Sequence, residues 1–164
     1  MASLAVRRSG KKACCLSLRA TSVRRAGLTG RLPFEEVVLD AAERHLRRKL
    51  VTLRDGSEIH VDLEKPIHLH HGDCLQLEDG RLIEVIAAQE DLTEITARDA
   101  AHLLQLAWHI GNRHLPAQIE PTRILIRRDP VIADMLQHQG AKTSDVCETF
   151  SPEHGAYHGH DHAH

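Results

Sequence analysis

Two Asp-Gly pairs, Asp55-Gly56 and Asp79-Gly80, each stand between short runs of alternating apolar residues. Asp-Gly is a strong hairpin signal because the tight turn needs positive φ, which glycine adopts without steric penalty. Leu50-Val-Thr-Leu53 is therefore predicted to pair with Ile59-His-Val-Asp-Leu63, and Cys74-Leu-Gln-Leu77 with Leu82-Ile-Glu-Val-Ile86. Short strands joined by regular turns build a small β-sandwich or barrel. Its core must be aliphatic, since Phe34, Trp108, Phe150 and Tyr157 are the only aromatic residues among 164.

After Ala87-Ala88 the pattern changes. Thr93-Glu-Ile95 reads as a short strand, and Thr96 opens a helix with Asp99 as its capping-box partner. Ala100, Leu103, Leu104, Ala107 and Ile110 form the apolar stripe, and Gly111-Asn112 is the expected stop. Arg123-Ile-Leu-Ile-Arg127 reads as a buried strand. Asp129-Pro130 is an N-cap with proline in the first helical position, leading into Val131, Ile132, Met135 and Leu136, with Gly140 as the close. Val146, Glu148 and Phe150 alternate on a last strand. Strand, helix, strands, helix, strand is the order of a ferredoxin-like βαββαβ domain. The expected class is α+β: an extension over 1–15, a small all-β domain over 16–86, a ferredoxin-like domain over 87–150, and a His-rich flexible tail over 151–164.

Charge is uneven. Residues 1–34 carry eight Lys/Arg and no acid, whereas the rest carry thirteen against twenty-three Asp/Glu. Without interleaved aromatics the basic start makes no nucleic-acid site. We read it as a disordered extension rather than a transit peptide, although its Ser/Ala content suits either. No stretch is long and apolar enough for a membrane helix, so no membrane partner is expected. Cys14-Cys15, Cys74 and Cys147 form no CxxC, which points to a reducing compartment such as the cytoplasm.

Histidine carries the chemistry. Five of the fourteen histidines fall in the last eleven residues, ending His158-Gly-His160-Asp-His162-Ala-His164. A segment of Gly, Ala and Asp cannot bury a core, so these imidazoles are not there for packing. A purification tag is normally an unbroken run, and here every second residue intervenes, which favours a natural metal-binding tail. Neutral imidazole suits Ni²⁺, Zn²⁺ and Cu²⁺. His102 and His109 lie about 10 Å apart along a helix, too far to share an ion, and read as a solvated or partner-facing surface. His68, His70 and His71 near Cys74 read as a polar loop before a metal site, and His45, His60 and His138 as surface residues. His114 follows a helix stop, where the partial negative charge of the helix end favours a cation modestly. Nucleophile-elbow, zinc-protease, phosphate-loop and dinucleotide motifs are all missing, so no enzyme is expected.

Trp108-His-Ile-Gly-Asn-Arg-His114-Leu-Pro-Ala-Gln-Ile119 resembles the signature of the UreE family of urease accessory proteins, the nickel metallochaperones of urease maturation. The likeness continues through Asp134-Met135-Leu136 and Pro152-Glu153-His-Gly-Ala-Tyr157 to the His-rich end. The resemblance implies a β-domain followed by a ferredoxin-like metal-binding domain, through which two copies form a head-to-head homodimer. It implies that His114 meets its symmetry mate and binds nickel at the dimer interface. Two nitrogens leave nickel under-coordinated, which makes His158, His160, His162 and His164 the natural further ligands. The implied function is nickel insertion: delivery of Ni²⁺ to an apo-urease complex with the urease accessory GTPase as partner, Zn²⁺ and Cu²⁺ being competitors. A storage or buffering protein that works through its tail is the alternative. Some relatives carry histidines at the turn where this chain has Arg127-Arg128-Asp129-Pro130, so accessory sites there are not expected.

Overall fold

The computed structural model describes residues 18–27, 30 and 32–153. The chain is α+β. Its first six strands are β1 (Leu18–Arg24), β2 (Glu35–Leu39), β3 (His45–Thr52), β4 (Glu58–His68), β5 (Cys74–Leu77) and β6 (Leu82–Ala87). They form one sheet in the order β2-β6-β5-β1-β4-β3. The β3/β4 and β5/β6 hairpins turn at Gly56 and Gly80, whose φ values of 84° and 85° are those that disfavour a side chain. Strand β2 and the parallel pairs β1/β4 and β2/β6 were not expected. Turn residues announce hairpins, whereas a parallel pair has no local signature. Beyond β3, Arg54 donates its backbone N–H to Glu36 of β2 at 2.9 Å, so the two edges of the sheet approach each other.

Alternation decides what is buried. Ile59, Val61 and Leu63 point inward from β4 while His60 points out, and they pack with Ala20, Val37, Leu75, Ile83 and Val85. The β4–β5 loop is tied by Asp73, whose carboxylate is buried. It accepts the N–H groups of His70 (2.9 Å) and Ala26 (3.1 Å) and the guanidinium of Arg25 (2.6 Å). Burial alone would push this carboxyl up, but the hydrogen bonds and Arg25 outweigh it and hold Asp73 below the usual carboxylate range.

The second sheet follows after Ala88 alone. Its elements are β7 (Gln89–Thr96), α1 (Ala100–Gly111), β8 (Ala117–Ile119), β9 (Arg123–Arg127), α2 (Pro130–His138) and β10 (Lys142–Thr149). The strands lie in the order β10-β7-β9-β8, each antiparallel to its neighbour. Leu103, Leu106 and Ile110 of α1 and Leu136 of α2 pack on Ile95, Ile124 and Ile126.

Several expectations need correction here. Strand β7 extends well beyond Thr93–Ile95, because all its residues find partners on β10. Asp99, not Thr96, caps α1: its side chain accepts the N–H of His102 at 2.7 Å. Leu104, placed in the apolar stripe, is exposed. His102, expected at the surface, is buried. Its Nε2 lies 2.9 Å from the carbonyl of Gln139 and its Nδ1 takes the N–H of Arg98 at 3.4 Å, so the ring ties the start of α1 to the end of α2.

The two sheets meet around Ala41, Leu92, Leu125 and Phe150. Arg44 is buried beside them and donates to the carbonyl of Phe150. Glu90 accepts the backbone N–H of Ala41 at 2.8 Å and an ion pair from Arg127 at 2.9 Å. Burial lowers the pKa of Arg44, and the charges of Glu90 and Asp40 oppose that shift. An arginine stays protonated under any such balance.

Arg44→Met removes the donor to Phe150 and should lower stability by about 1–3 kcal/mol in urea unfolding. Asp73→Asn tests the loop tie by pH. A carboxylate with a lowered folded pKa contributes stability that is complete above its unfolded value of about 3.9 and vanishes as pH falls through the folded value. The stability gap between Asp73→Asn and the parent chain should therefore be full at neutral pH and shrink as pH falls below about 3.9 through the lowered folded value.

Candidate functional site

Helix α1 ends in a Schellman motif, and the residue at its turning point is His114. The N–H of His114 bonds the carbonyl of Gly111 at 2.9 Å, and that of Leu115 reaches back to Ile110 at 3.4 Å. Reversal at this point needs a left-handed residue, and His114 supplies it with φ 56°. Helix α2 ends the same way, with Ala141 bonded to Leu136 at 3.1 Å, but there the left-handed residue is Gly140 with φ 87°. His114 therefore holds a position that glycine usually takes. It is the one non-glycine residue with positive φ among the described residues. The helix ends where Gly111-Asn112 was expected to stop it, with Gly111 its last residue and Asn112 its C-cap. Leu115 packs against the core that holds Ile110, and Arg113 donates to the carbonyl of His109 at 2.9 Å, so the turn is fixed from both sides.

The imidazole of His114 is exposed. Close by, α1 shows Leu104 and Trp108 to solvent, 72% and 64% exposed and one helical turn apart. Trp108 stands edge-on to the ring of His109 at 5.0 Å.

His158, His160, His162 and His164 lie outside the described residues, as does His154. The start of the segment that carries them is described, and it is informative. After Phe150 the chain crosses from the β10 edge toward the β8 edge. The N–H of Ser151 bonds the Gln118 side chain at 2.7 Å, and that of Glu153 bonds the carbonyl of Ala117 at 2.8 Å. Ala117 is three residues from His114, a span of at most about 10 Å. His158 is five residues along the chain from Glu153, a reach of up to about 17 Å. No sequence signal marked this crossing, because its partners are 33 and 36 residues apart.

Several other histidines belong to the first sheet and its loops. His70 and Arg25 meet at Asp73, His71 accepts the N–H of Ala87 at 3.3 Å, and Cys74 is buried. Burial pushes the Cys74 thiol up, away from the thiolate that a metal needs. Among the described residues no three His, Cys, Asp or Glu side chains gather as a metal site.

Comparison with known proteins covers both sheets. Residues 25–88 match the family described as UreE urease accessory protein, N-terminal domain, and residues 90–164 its C-terminal domain. A urease accessory protein UreE of Mesorhizobium japonicum is 55% identical over 87% of this chain and 74% of its own. Urease accessory protein UreE 1 of Brucella suis biovar 1 is 55% identical over 78% of this chain and 79% of its own. That of Rhizobium meliloti is 51% identical over 88% of this chain and 94% of its own.

Holding a side chain in the left-handed region costs about 1 kcal/mol, which glycine escapes. His114→Gly should accordingly raise the unfolding free energy by about that amount, and His114→Ala should not. Equal stabilities for the two variants would mean that the backbone at His114 carries no strain.

Proposed function

The chain belongs to the UreE family of urease accessory proteins, and from that premise we propose that it is a non-enzymatic nickel donor for urease maturation. Two copies associate through the second sheet and its helices, a domain whose strand order β10-β7-β9-β8 supports a ferredoxin-like reading. Trp108 and Leu104 lie in the contact, and the two His114 rings face each other across the two-fold axis. A symmetric pair solves the problem of one imidazole per chain, because the operator supplies the second. Ni²⁺ is the cargo, and tail histidines such as His158, His160, His162 and His164 fill its remaining positions. The domain division follows the linker at Ala88, with the first sheet on one side and the metal domain on the other.

The observation that carries this reading is His114 in the left-handed turning position of α1. Nothing in the core needs an imidazole there, and glycine would serve the turn better. A strained residue kept at a surface turn, beside an exposed tryptophan, is accounted for if its ring must point at a partner. The mixture of one fixed ligand pair and several tethered ones suits a donor. The pair fixes where the ion sits, while each tail ligand must order its chain to bind and so lets go readily. Ni²⁺ then passes to the urease accessory GTPase and the apo-urease complex in a reducing cytoplasm. Zn²⁺ and Cu²⁺ compete for the same imidazoles. Among the described residues no helix is long and apolar enough to cross a membrane.

Nickel titration of three proteins tests this: the parent chain, the chain ending at Tyr157, and His114→Ala. One tight ion per dimer should survive truncation with reduced affinity and disappear in His114→Ala. A tight site that persists without His114 and vanishes on truncation would instead identify a storage protein working through its tail.

A further inference from the structure

His102 is the one buried histidine among the described residues, 3% exposed. Both of its ring nitrogens meet backbone groups. Nε2 lies 2.9 Å from the carbonyl of Gln139, the C-cap of α2. Nδ1 accepts the N–H of Arg98, just before the N-cap of α1, at 3.4 Å. These partners fix the tautomer. A carbonyl only accepts and an amide N–H only donates, so the ring is neutral with its proton on Nε2. A second proton would sit on Nδ1 and point at the N–H of Arg98, an arrangement of two donors with no acceptor.

The charged neighbours do not answer such a proton. Asp99 is already engaged: Oδ1 accepts the backbone N–H of His102 at 2.7 Å, and Oδ2 lies 3.5 Å from Nε of Arg98. Arg98 itself brings a cation close, since a methyl group on Gly140 would meet Cε1 of His102 at 3.7 Å and Nη1 of Arg98 at 3.9 Å. On α2, His138 is exposed and turned to its own helix, with Nδ1 2.8 Å from the carbonyl of Asp134 and 3.5 Å from its carboxylate. Lys142, which opens β10, is exposed. The ring joins the first turn of one helix to the last of another, so the two helix dipoles act on it with opposite sign.

We propose that His102 is an acid-sensitive pin of the second domain: the neutral ring ties the start of α1 to the end of α2, and a proton on Nδ1 undoes the tie at Arg98. The helix held by this pin carries Leu104 and Trp108 on its exposed side. The pin acts in metal-free protein and does not depend on the ligands assigned above. Its sign follows from linkage. Where the fold excludes a proton that the unfolded chain accepts, the unfolded state binds more protons and stability falls as pH drops. An imidazole in the unfolded chain takes up its proton near pH 6.5, so at pH 5 unfolding gains by a factor of up to about thirty.

Urea unfolding of the full, metal-free chain at about pH 8 and about pH 5 tests this, followed by the fluorescence of Trp108, the one tryptophan. The comparison is with His102→Gln, whose neutral amide keeps a donor for the Gln139 carbonyl; the other histidines are common to both proteins. Between the two pH values the unfolding constant of the parent should rise at least about fivefold more than that of His102→Gln. An equal rise in both overturns the pin. Should His102→Gln fail to fold, NMR of the parent decides alone, from the ring signal of His102 and the exchange of the Arg98 amide. A ring that stays neutral while exposed His138 titrates, or that takes a proton only as Arg98 loses its protection, upholds the pin. A ring protonated in the folded chain with the Arg98 amide still protected overturns it.

Discussion

The carbonyl of Phe150 takes its hydrogen bond from the buried guanidinium of Arg44, in the turn that leads into β3 of the other sheet, and the Phe150 ring fills the seam with Ala41, Leu92 and Leu125. One residue thus closes the joint between the sheets and ends β10. The path of the chain beyond Phe150 depends on this joint, because the N–H of Ser151 is the next group along and already faces Gln118. Burying a guanidinium is costly, and the Phe150 carbonyl with the charges of Glu90 and Asp40 offsets part of that cost, while the buried Nε of Arg44 makes no hydrogen bond among the described residues. The joint is specific in a way that an aliphatic seam alone is not, since guanidinium and carbonyl must meet at a defined angle.

The two helices of the second sheet show what the proposed centre gives up. Both reverse through the same hydrogen-bond pattern, and α2 uses glycine where α1 uses histidine. The price is local strain, held in place by Leu115 on the core side and Arg113 on the solvent side. A side chain on a strained, braced turn has few conformations left to lose when it meets a partner.

What could be read in the sequence was what is local in the chain. The Asp-Gly hairpins, the Asp129-Pro130 helix start and the Gly140 stop each depend on neighbours within a few residues, and each is where it was expected. Strand β2 and the parallel pairs depend on partners some 40 residues away and left no mark. His102 and Leu104 were misplaced for a related reason. A helix stripe gives the apolar side of a helix, but which of two flanking positions faces the sheet is decided by packing. His114 was picked out by its motif, while its left-handed conformation and the return of Glu153 to Ala117 were visible only in three dimensions.

Strand β1 sits in the middle of its sheet, between β4 on one side and β5 on the other. On the ribosome it emerges long before either neighbour. Ala20 must wait for Val61 and then Leu77, 57 residues later, which is roughly three to eleven seconds at about 5–20 residues per second. During that interval the strand has two open edges and no sheet to join. The basic run that precedes β1, with four Lys/Arg before residue 13 and no acid, supplies like charge in the flank of that strand.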